Sequence, residues 1–139
     1  GAFRETGAEG ESRERSMVHA ARAHGMRLIG PNCLGVVSTA NRVYAAFGSL
    51  VREPKLTPGP VSAVLQSGGF GNSLVIRCAL AGVGFRNVVM SGNEADITAP
   101  ELIDAYVGMR SEATNLPEDD FDWPSYVAKV EAAARAAEG

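Results

Sequence analysis

The sequence predicts an α/β fold built on parallel strands, and three stretches carry that prediction. Val61–Leu65 is an apolar run that empties through Ser67-Gly68-Gly69 into an apolar segment with helical spacing. A second apolar run, Asn87–Met90, follows the helix stop Gly82-Val83-Gly84, so strand, helix and strand succeed one another over the length of a single crossover. Upstream, an amphipathic helix, a glycine and a short apolar run end in Gly30-Pro31-Asn32, which is where open α/β sheets place ligand contacts.

Taken in order, residues 1–11 are glycine-rich and polar and predict a loop, with Ser12 as the N-cap of a surface helix over Arg13–His24. Met17, Val18, Ala20, Ala21 and Ala23 form its apolar side, Arg13, Glu14, Arg15 and Arg22 its solvated side, and Gly25 its stop. Met26–Ile29 predicts a short buried strand, broken by the turn Gly30–Gly35, after which Val36–Ser38 resumes extended structure. Residues 39–60 show no clear period; Pro54, Pro58, Gly59 and Pro60 mark a linker, and a boundary between two domains is placed at 57/58.

Beyond that boundary the pattern predicts a strand at 61–65 and a helix over Phe70–Ala81 that buries Leu74, Val75, Cys78, Ala79 and Leu80. A strand at 87–90, a loop at 91–96 and a helix from Ala99 or Pro100 to Val107 follow. Two strands joined by one helix pair in parallel, so both C-terminal ends lie on one edge of the sheet. Residues 108–122 are polar and acidic and predict a loop; Asp122 caps a last helix over 123–138.

Composition narrows the function classes. Of 139 residues, 45% are hydrophobic and 21% charged, the balance of a chain that can bury a core. The net charge of −3, with no basic stripe interleaved with aromatics, argues against nucleic acid as a partner. No apolar run reaches the roughly 18 residues that span a bilayer, and no signal peptide is visible. Cys33 and Cys78 are far apart and outside any metal-ligand spacing, which suits a reduced, cytoplasmic compartment. The chain opens without Met and closes directly after a helical run, the pattern expected of an interior piece of a longer protein.

Ser67-Gly68-Gly69-Phe70-Gly71 is the leading candidate site. Ser67 offers a hydroxyl and a cap, and the glycines let a phosphate approach backbone N–H groups at the positive end of a helix. A glycine-rich turn that packs helix on strand fits the same residues, because the run matches neither the Walker A loop nor the dinucleotide fingerprint. At the Gly30–Cys33 turn, Asn32 can hold a ligand amide and Cys33 can contact a thiol or thioester, although a small buried Cys in a tight turn is the commoner use of such a residue. No neighbouring His activates Cys33 as a nucleophile. His19 and His24, five apart, do not share a helix face and predict surface residues rather than metal ligands. In the 91–96 loop, Asn93, Glu94 and Asp96 lie at the active edge, where they can bind a polar ligand or cap the following helix.

Three stretches, HGMRLIGPNCLGVV at 24–37, PGPVSAVLQSGGFGNSL at 58–74 and GVGFRNVVMSGNEADI at 82–97, resemble in order and spacing the NDP-forming acyl-CoA synthetases, relatives of the succinyl-CoA synthetase α subunit. The resemblance covers about residues 1–107. It implies the C-terminal part of a Rossmann-like CoA-binding domain over 1–57 and a parallel-sheet, flavodoxin-like ligase domain over 58–139, both incomplete. By motif, Asn32 and Cys33 match a turn near the reactive end of CoA, and Glu9-Gly10 an upstream Glu-Gly pair on the same ligand. Ser67 and Gly68, with Gly69 and Gly71 beside them, match the helix N-terminus that receives a phosphorylated histidine.

The implied reaction interconverts acyl-CoA, NDP and phosphate with acid, CoA and NTP through an acyl phosphate and a phosphohistidine. Implied ligands are CoA, a carboxylic acid and ADP or ATP with Mg, the nucleotide and metal being handled by an ATP-grasp domain or subunit; a homo-oligomer fits the family. Neither His19 nor His24 stands in the motif of the phosphorylated His, no residue here matches the CoA phosphate loop, and the family's next acidic strand is not recognisable at 108–122. The segment by itself is therefore expected to be inactive. Two other uses of the architecture are a non-catalytic CoA-sensing module fused to an acetyltransferase and a flavodoxin-like domain for another phosphate ligand.

Overall fold

The computed structural model describes residues 1–52 and 56–112, together with positions 124, 128, 131, 132 and 135, which are helical. The chain runs α1 (Ala8–Ala23), β1 (Gly35–Ser38), β2 (Val43–Ala46), β3 (Pro58–Leu65), α2 (Gly68–Leu80), β4 (Phe85–Met90) and α3 (Ala99–Glu112), with 3₁₀ turns at Arg4–Thr6 and Ser49–Val51. The four strands form one mixed sheet in the order β2-β1-β4-β3. The β3–β4 pair is parallel, as a strand–helix–strand unit requires, whereas β1 runs antiparallel to both β4 and β2. The hairpin β1–β2 was not legible as structure, because Val43, Tyr44 and Ala45 lie exposed on an edge strand and leave no alternating pattern.

Several expected boundaries move. The first helix begins at Ala8, so Ser12 lies inside it rather than at its cap. Glu9 and Glu11 in the first turn compensate the helix dipole, and each pairs with an arginine one turn on, Glu9 with Arg13 and Glu11 with Arg15. Gly10 is tolerated there because a Cβ would collide with the Phe3 carbonyl of the preceding 3₁₀ turn. The expected stop holds: Gly25 adopts φ +69°, Gly25 N donates to Arg22 O and Met26 N to Ala21 O, the two bonds of a Schellman end.

Residues 26–29 do not form a buried strand. Met26 is 55% exposed, and Leu28 and Gly30 accept hydrogen bonds from Ile97 N and Ala95 N of the loop after β4 instead of from a sheet neighbour. β3 begins at Pro58, inside the expected linker, through a register shift between Pro58 and Ser62. That shift is possible because Gly59 and Gly84 meet so closely that no side chain fits at either. α3 continues to Glu112, so residues 108–112 are helical rather than the start of the acidic loop. The remainder of that expected loop, 113–122, lies outside the described residues; within the helix expected over 123–138, Glu131 and Arg135 pair at 3.6 Å.

The core lies between the sheet and α2. Val37, Val88 and Met90 from the strands, Val75 and Cys78 from α2, and Leu50, Leu56, Val83 and Phe85 form one buried cluster. Each fully buried Val or Met contributes about 1.5–3 kcal/mol, against about 0.3–0.5 kcal/mol for an exposed helix pair such as Glu9–Arg13. The sheet with α2, not α1, therefore carries most of the stability. Burial also pushes the Cys78 thiol pKa up, which keeps it unreactive.

Gly71 is where α2 meets the sheet: a Cβ there would lie 2.8 Å from Met90 Sδ and 2.9 Å from Leu65 Cβ, whereas nothing lies within 4 Å of one at Gly69. Gly71→Ala should therefore destabilise by about 1–2 kcal/mol net of its helix propensity. Gly69→Ala should be neutral or stabilising by up to about 1 kcal/mol. Equilibrium urea unfolding of the two variants checks this contrast.

Candidate functional site

β3 and β4 end on the same edge, and the antiparallel β1 enters there, since Gly35 pairs with Met90 and Leu65 pairs with Met90 from the other side. That topology draws together the turn before β1, the turn after β3 and the loop after β4. Ser91 N donates to Leu65 O at 2.8 Å, Gly92 N to Gln66 O at 3.1 Å, and Gln66 Nε2 to Gly92 O at 3.0 Å. A Cβ on Gly92 would lie 2.3 Å from Pro31 O, and one on Gly68 would lie 2.7 Å from Leu34 Cγ. Small residues are needed at both positions because the Gly30–Gly35 turn packs directly on them.

At the start of α2, Ser67 acts as the N-cap, its Oγ accepting from Phe70 N at 3.3 Å. Helix geometry leaves the Gly68 and Gly69 N–H groups without intrahelical partners, and no acidic side chain in the first turn neutralises the dipole. Ser67 and Gly69 are exposed, so this positive end faces open space. The three glycines differ in what their missing side chains make room for: Leu34 at Gly68, the sheet at Gly71, and open space only at Gly69.

Asn93 is the centre of the polar network beside this edge. It is 6% exposed; its N–H donates to Pro31 O at 2.9 Å, and its Nδ2 donates to Glu5 Oε2 and Glu14 Oε2, both at 2.9 Å. The Arg4 guanidinium donates to Asn93 O, and Asn32 Nδ2 donates to Asn93 Oδ1 at 3.4 Å. Asn32 is exposed at φ +53°, and Cys33, half-buried, turns its Sγ back toward Ile29 O at 3.6 Å. The bond from Asn93 lowers the Glu5 pKa to about 2.

Asn32, Cys33, Ser67, Gly68, Gly69 and Asn93 thus gather on one edge, with Gly71 packed beneath it. Glu9 does not join them: it is exposed on α1 and paired with Arg13. The buried Glu14 and the exposed Glu5 both turn a carboxylate oxygen to Asn93, a role that the sequence left unassigned. For Glu14 a signal existed, since it stands one helical turn before Met17 and Val18 and so belongs to the apolar side of α1, with Gly10 and Ala21. Glu94, at φ +54°, accepts from Ser91 Oγ at 2.6 Å and from Ala99 N at 3.0 Å, which spends one carboxylate oxygen on the residue after β4 and the other on the start of α3. Among the described residues no group of three or more His, Cys, Asp and Glu could hold a metal, and no helix is long and apolar enough to cross a membrane.

Asp96 ties the first thirty residues to this loop. Its carboxylate, fully shielded from solvent, pairs with Arg27 at 3.0 Å and with Arg22 Nε at 2.9 Å, and accepts from Leu28 N at 2.7 Å. Arg27, then the Leu28 N–H and Arg22, hold the Asp96 pKa far below the usual carboxylate range. Arg27 also bonds Glu101, whose pKa is lowered first by Thr98 and then by Arg27.

These depressed values fix the sign of the acid response. The stabilisation is complete above the ordinary values of 4.5 for Glu5 and 3.8 for Asp96, and it is lost as pH falls through the folded values. Glu5→Gln should flatten the loss between about pH 4.5 and 2, whereas Asp96→Asn should remove the part that extends lower and lower the thermal midpoint at neutral pH by at least about 5 °C. Thermal melts from pH 7 to 2 check both.

Comparison with known proteins identifies what the chain is similar to. Residues 58–115 match the model of the succinyl-CoA ligase like flavodoxin domain. The chain is 38% identical over 104 residues to the α subunit of ADP-forming acetate–CoA ligase I of Pyrococcus furiosus, which covers 75% of this chain and 22% of that protein. It is 33% identical over 101 residues to an ADP-forming 4-hydroxybutyrate–CoA ligase of Nitrosopumilus maritimus, covering 73% of this chain and 14% of the relative. The dinucleotide-forming acetyl-coenzyme A synthetase 1 of Ca. Korarchaeum cryptofilum, solved with phosphate and ADP, superposes with a TM-score of 0.68 at 32% identity, over 76% of this chain and 22% of its own. The chain thus spans about a fifth of the first of these relatives. It is a homologue of the ADP-forming acetate–CoA ligases, and its residues 58–115 are a succinyl-CoA ligase-like flavodoxin domain.

Proposed function

We propose that this edge handles the CoA thiol end and the phosphoryl group in an NDP-forming acid–CoA ligase. The observation that carries the reading is the convergence of the uncompensated α2 N-terminus with the Gly30–Cys33 turn on one side of one sheet. Homology to enzymes named as ADP-forming acetate and 4-hydroxybutyrate ligases supports it. On this reading residues 1–57 derive from a CoA-binding module and residues 58–139 from the ligase module, the β1–β2 hairpin crossing that division to complete the ligase sheet.

The chemistry runs in three balanced steps. Phosphate attacks the acyl-CoA carbonyl, giving acyl phosphate and CoA; a histidine nitrogen takes the phosphoryl group, releasing the acid; and NDP takes it from the phosphohistidine to give NTP. In these steps Gly68 and Gly69 N–H groups and the helix dipole stabilise the phosphoryl oxygens, while Asn32 and Cys33 hold the thiol end of CoA. The histidine and the nucleotide with its Mg are assigned to an ATP-grasp partner or to other segments of a cytoplasmic enzyme, since neither His19 nor His24 stands in the motif of the phosphorylated histidine.

Two measurements test this. In the full-length protein that carries the chain, acetyl-CoA, ADP and phosphate should yield ATP; a folded protein that binds CoA but shows no turnover with any acyl-CoA would make it a CoA sensor instead. In the chain itself, inorganic phosphate should shift the Gly68 and Gly69 amide resonances saturably, and Ser67→Ala, which loosens the cap by about 1 kcal/mol, should weaken that response several-fold. Tight flavin binding without any response to CoA or phosphate would assign the edge to a different ligand.

A further inference from the structure

The Asn32 carboxamide has two possible orientations, and its surroundings select one. Asn93 Nδ2 lies 2.9 Å from an oxygen of Glu5 and 2.9 Å from an oxygen of Glu14. A carboxylate can only accept, so the NH₂ of Asn93 must face the two acids and its Oδ1 must face away. The group opposite that oxygen is the Asn32 side chain, 3.4 Å distant. If Asn32 were turned over, two amide oxygens would oppose each other at that distance. The NH₂ of Asn32 therefore points inward, and its Oδ1, which accepts no hydrogen bond among the described residues, points outward from an exposed residue.

The acids are themselves fixed. Glu14 is 5% exposed, accepts from Arg4 N at 3.4 Å and lies 3.8 Å from the Arg4 guanidinium, while Glu5 also accepts from Phe3 N at 3.1 Å. The backbone of Asn93 is pinned by Pro31 O and by Arg4. No rotation of one group relieves the others, so the orientation passes from the acids through Asn93 to Asn32.

We propose that Glu5 and Glu14 are positioning residues that, through Asn93, make Asn32 a dedicated hydrogen-bond acceptor for an N–H group of the ligand. This rests on the assignment of the turn to CoA, whose pantetheine arm offers two amide N–H groups and no other N–H donor close to the thiol. The turn would then read the arm by its donors, with Cys33 beside it near the sulfur.

The test uses the full chain and pantetheine, together with two isosteres in which one or the other amide N–H is replaced by an ester oxygen. Affinities are read from amide shift titrations at neutral pH. Wild type should bind pantetheine and lose roughly tenfold in affinity for one isostere. Glu5→Gln/Glu14→Gln keeps the packing but lets a glutamine NH₂ face Asn93 Oδ1, so the discrimination should shrink to within about twofold while pantetheine still binds. Asn32→Gly, compatible with the positive φ and exposed enough to leave folding intact, should abolish it.

Equal affinity of wild type for pantetheine and both isosteres would overturn the orientation argument and leave the CoA assignment standing. Undiminished discrimination in the folded double glutamine variant would remove Glu5 and Glu14 from the relay. Absence of any pantetheine or CoA binding by wild type would overturn the CoA assignment and this inference with it.

Discussion

The candidate site depends on the docking of residues 28–31 onto the loop after β4. Three backbone bonds, Ile97 N to Leu28 O, Ala95 N to Gly30 O and Asn93 N to Pro31 O, run along the seam, and Asp96 closes it with two arginines and the Leu28 N–H. A carboxylate shielded from water is costly unless it is fully paired, and Asp96 has a partner on every side. The α1 segment adds little apolar area, with only Gly10, Glu14 and Ala21 buried. What holds it, and the Asn32 turn with it, is therefore mainly polar and directional, unlike the apolar contact of α2 with the sheet.

That division shapes the edge. Apolar packing sets where the strands end, and the polar seam sets how the Gly30–Gly35 turn is presented against Gly68 and Gly92. Negative charge is kept away from the start of α2: the first turn carries no acid, Glu94 is spent on Ala99 N and Ser91, and Asp96 on its arginines. An anion arriving at Gly69 meets a helix terminus whose positive end no neighbouring first-turn acid has neutralised.

Much of this was legible in the sequence because it rests on local rules. The Ser67 cap, the Gly25 stop and the parallel β3–β4 pair follow from residue type and spacing, and the glycine motifs carried the family resemblance. What escaped rests on long-range contact. Residues 26–29 look like a strand because they are apolar and short, yet their partner is a loop some sixty-odd residues away rather than a sheet. The β1–β2 hairpin hid because an exposed edge strand carries no burial pattern. Glu14 read as a solvated charge although it stands on the apolar side of α1, because its partner Asn93 lies far along the chain. The early start of α1 was masked by glycines, of which Gly10 serves contact with Phe3 rather than a turn.

Native-state hydrogen exchange at Asn93, Ala95 and Ile97 reads whether the polar seam binds the Asn32 turn to the sheet edge. These three amides should exchange far more slowly than random coil and as one unit, and should lose protection together in Asp96→Asn while the Val88 and Val89 amides of β4 stay protected. Exchange of the three at near random-coil rates in the wild-type chain, with β4 protected, would contradict that binding.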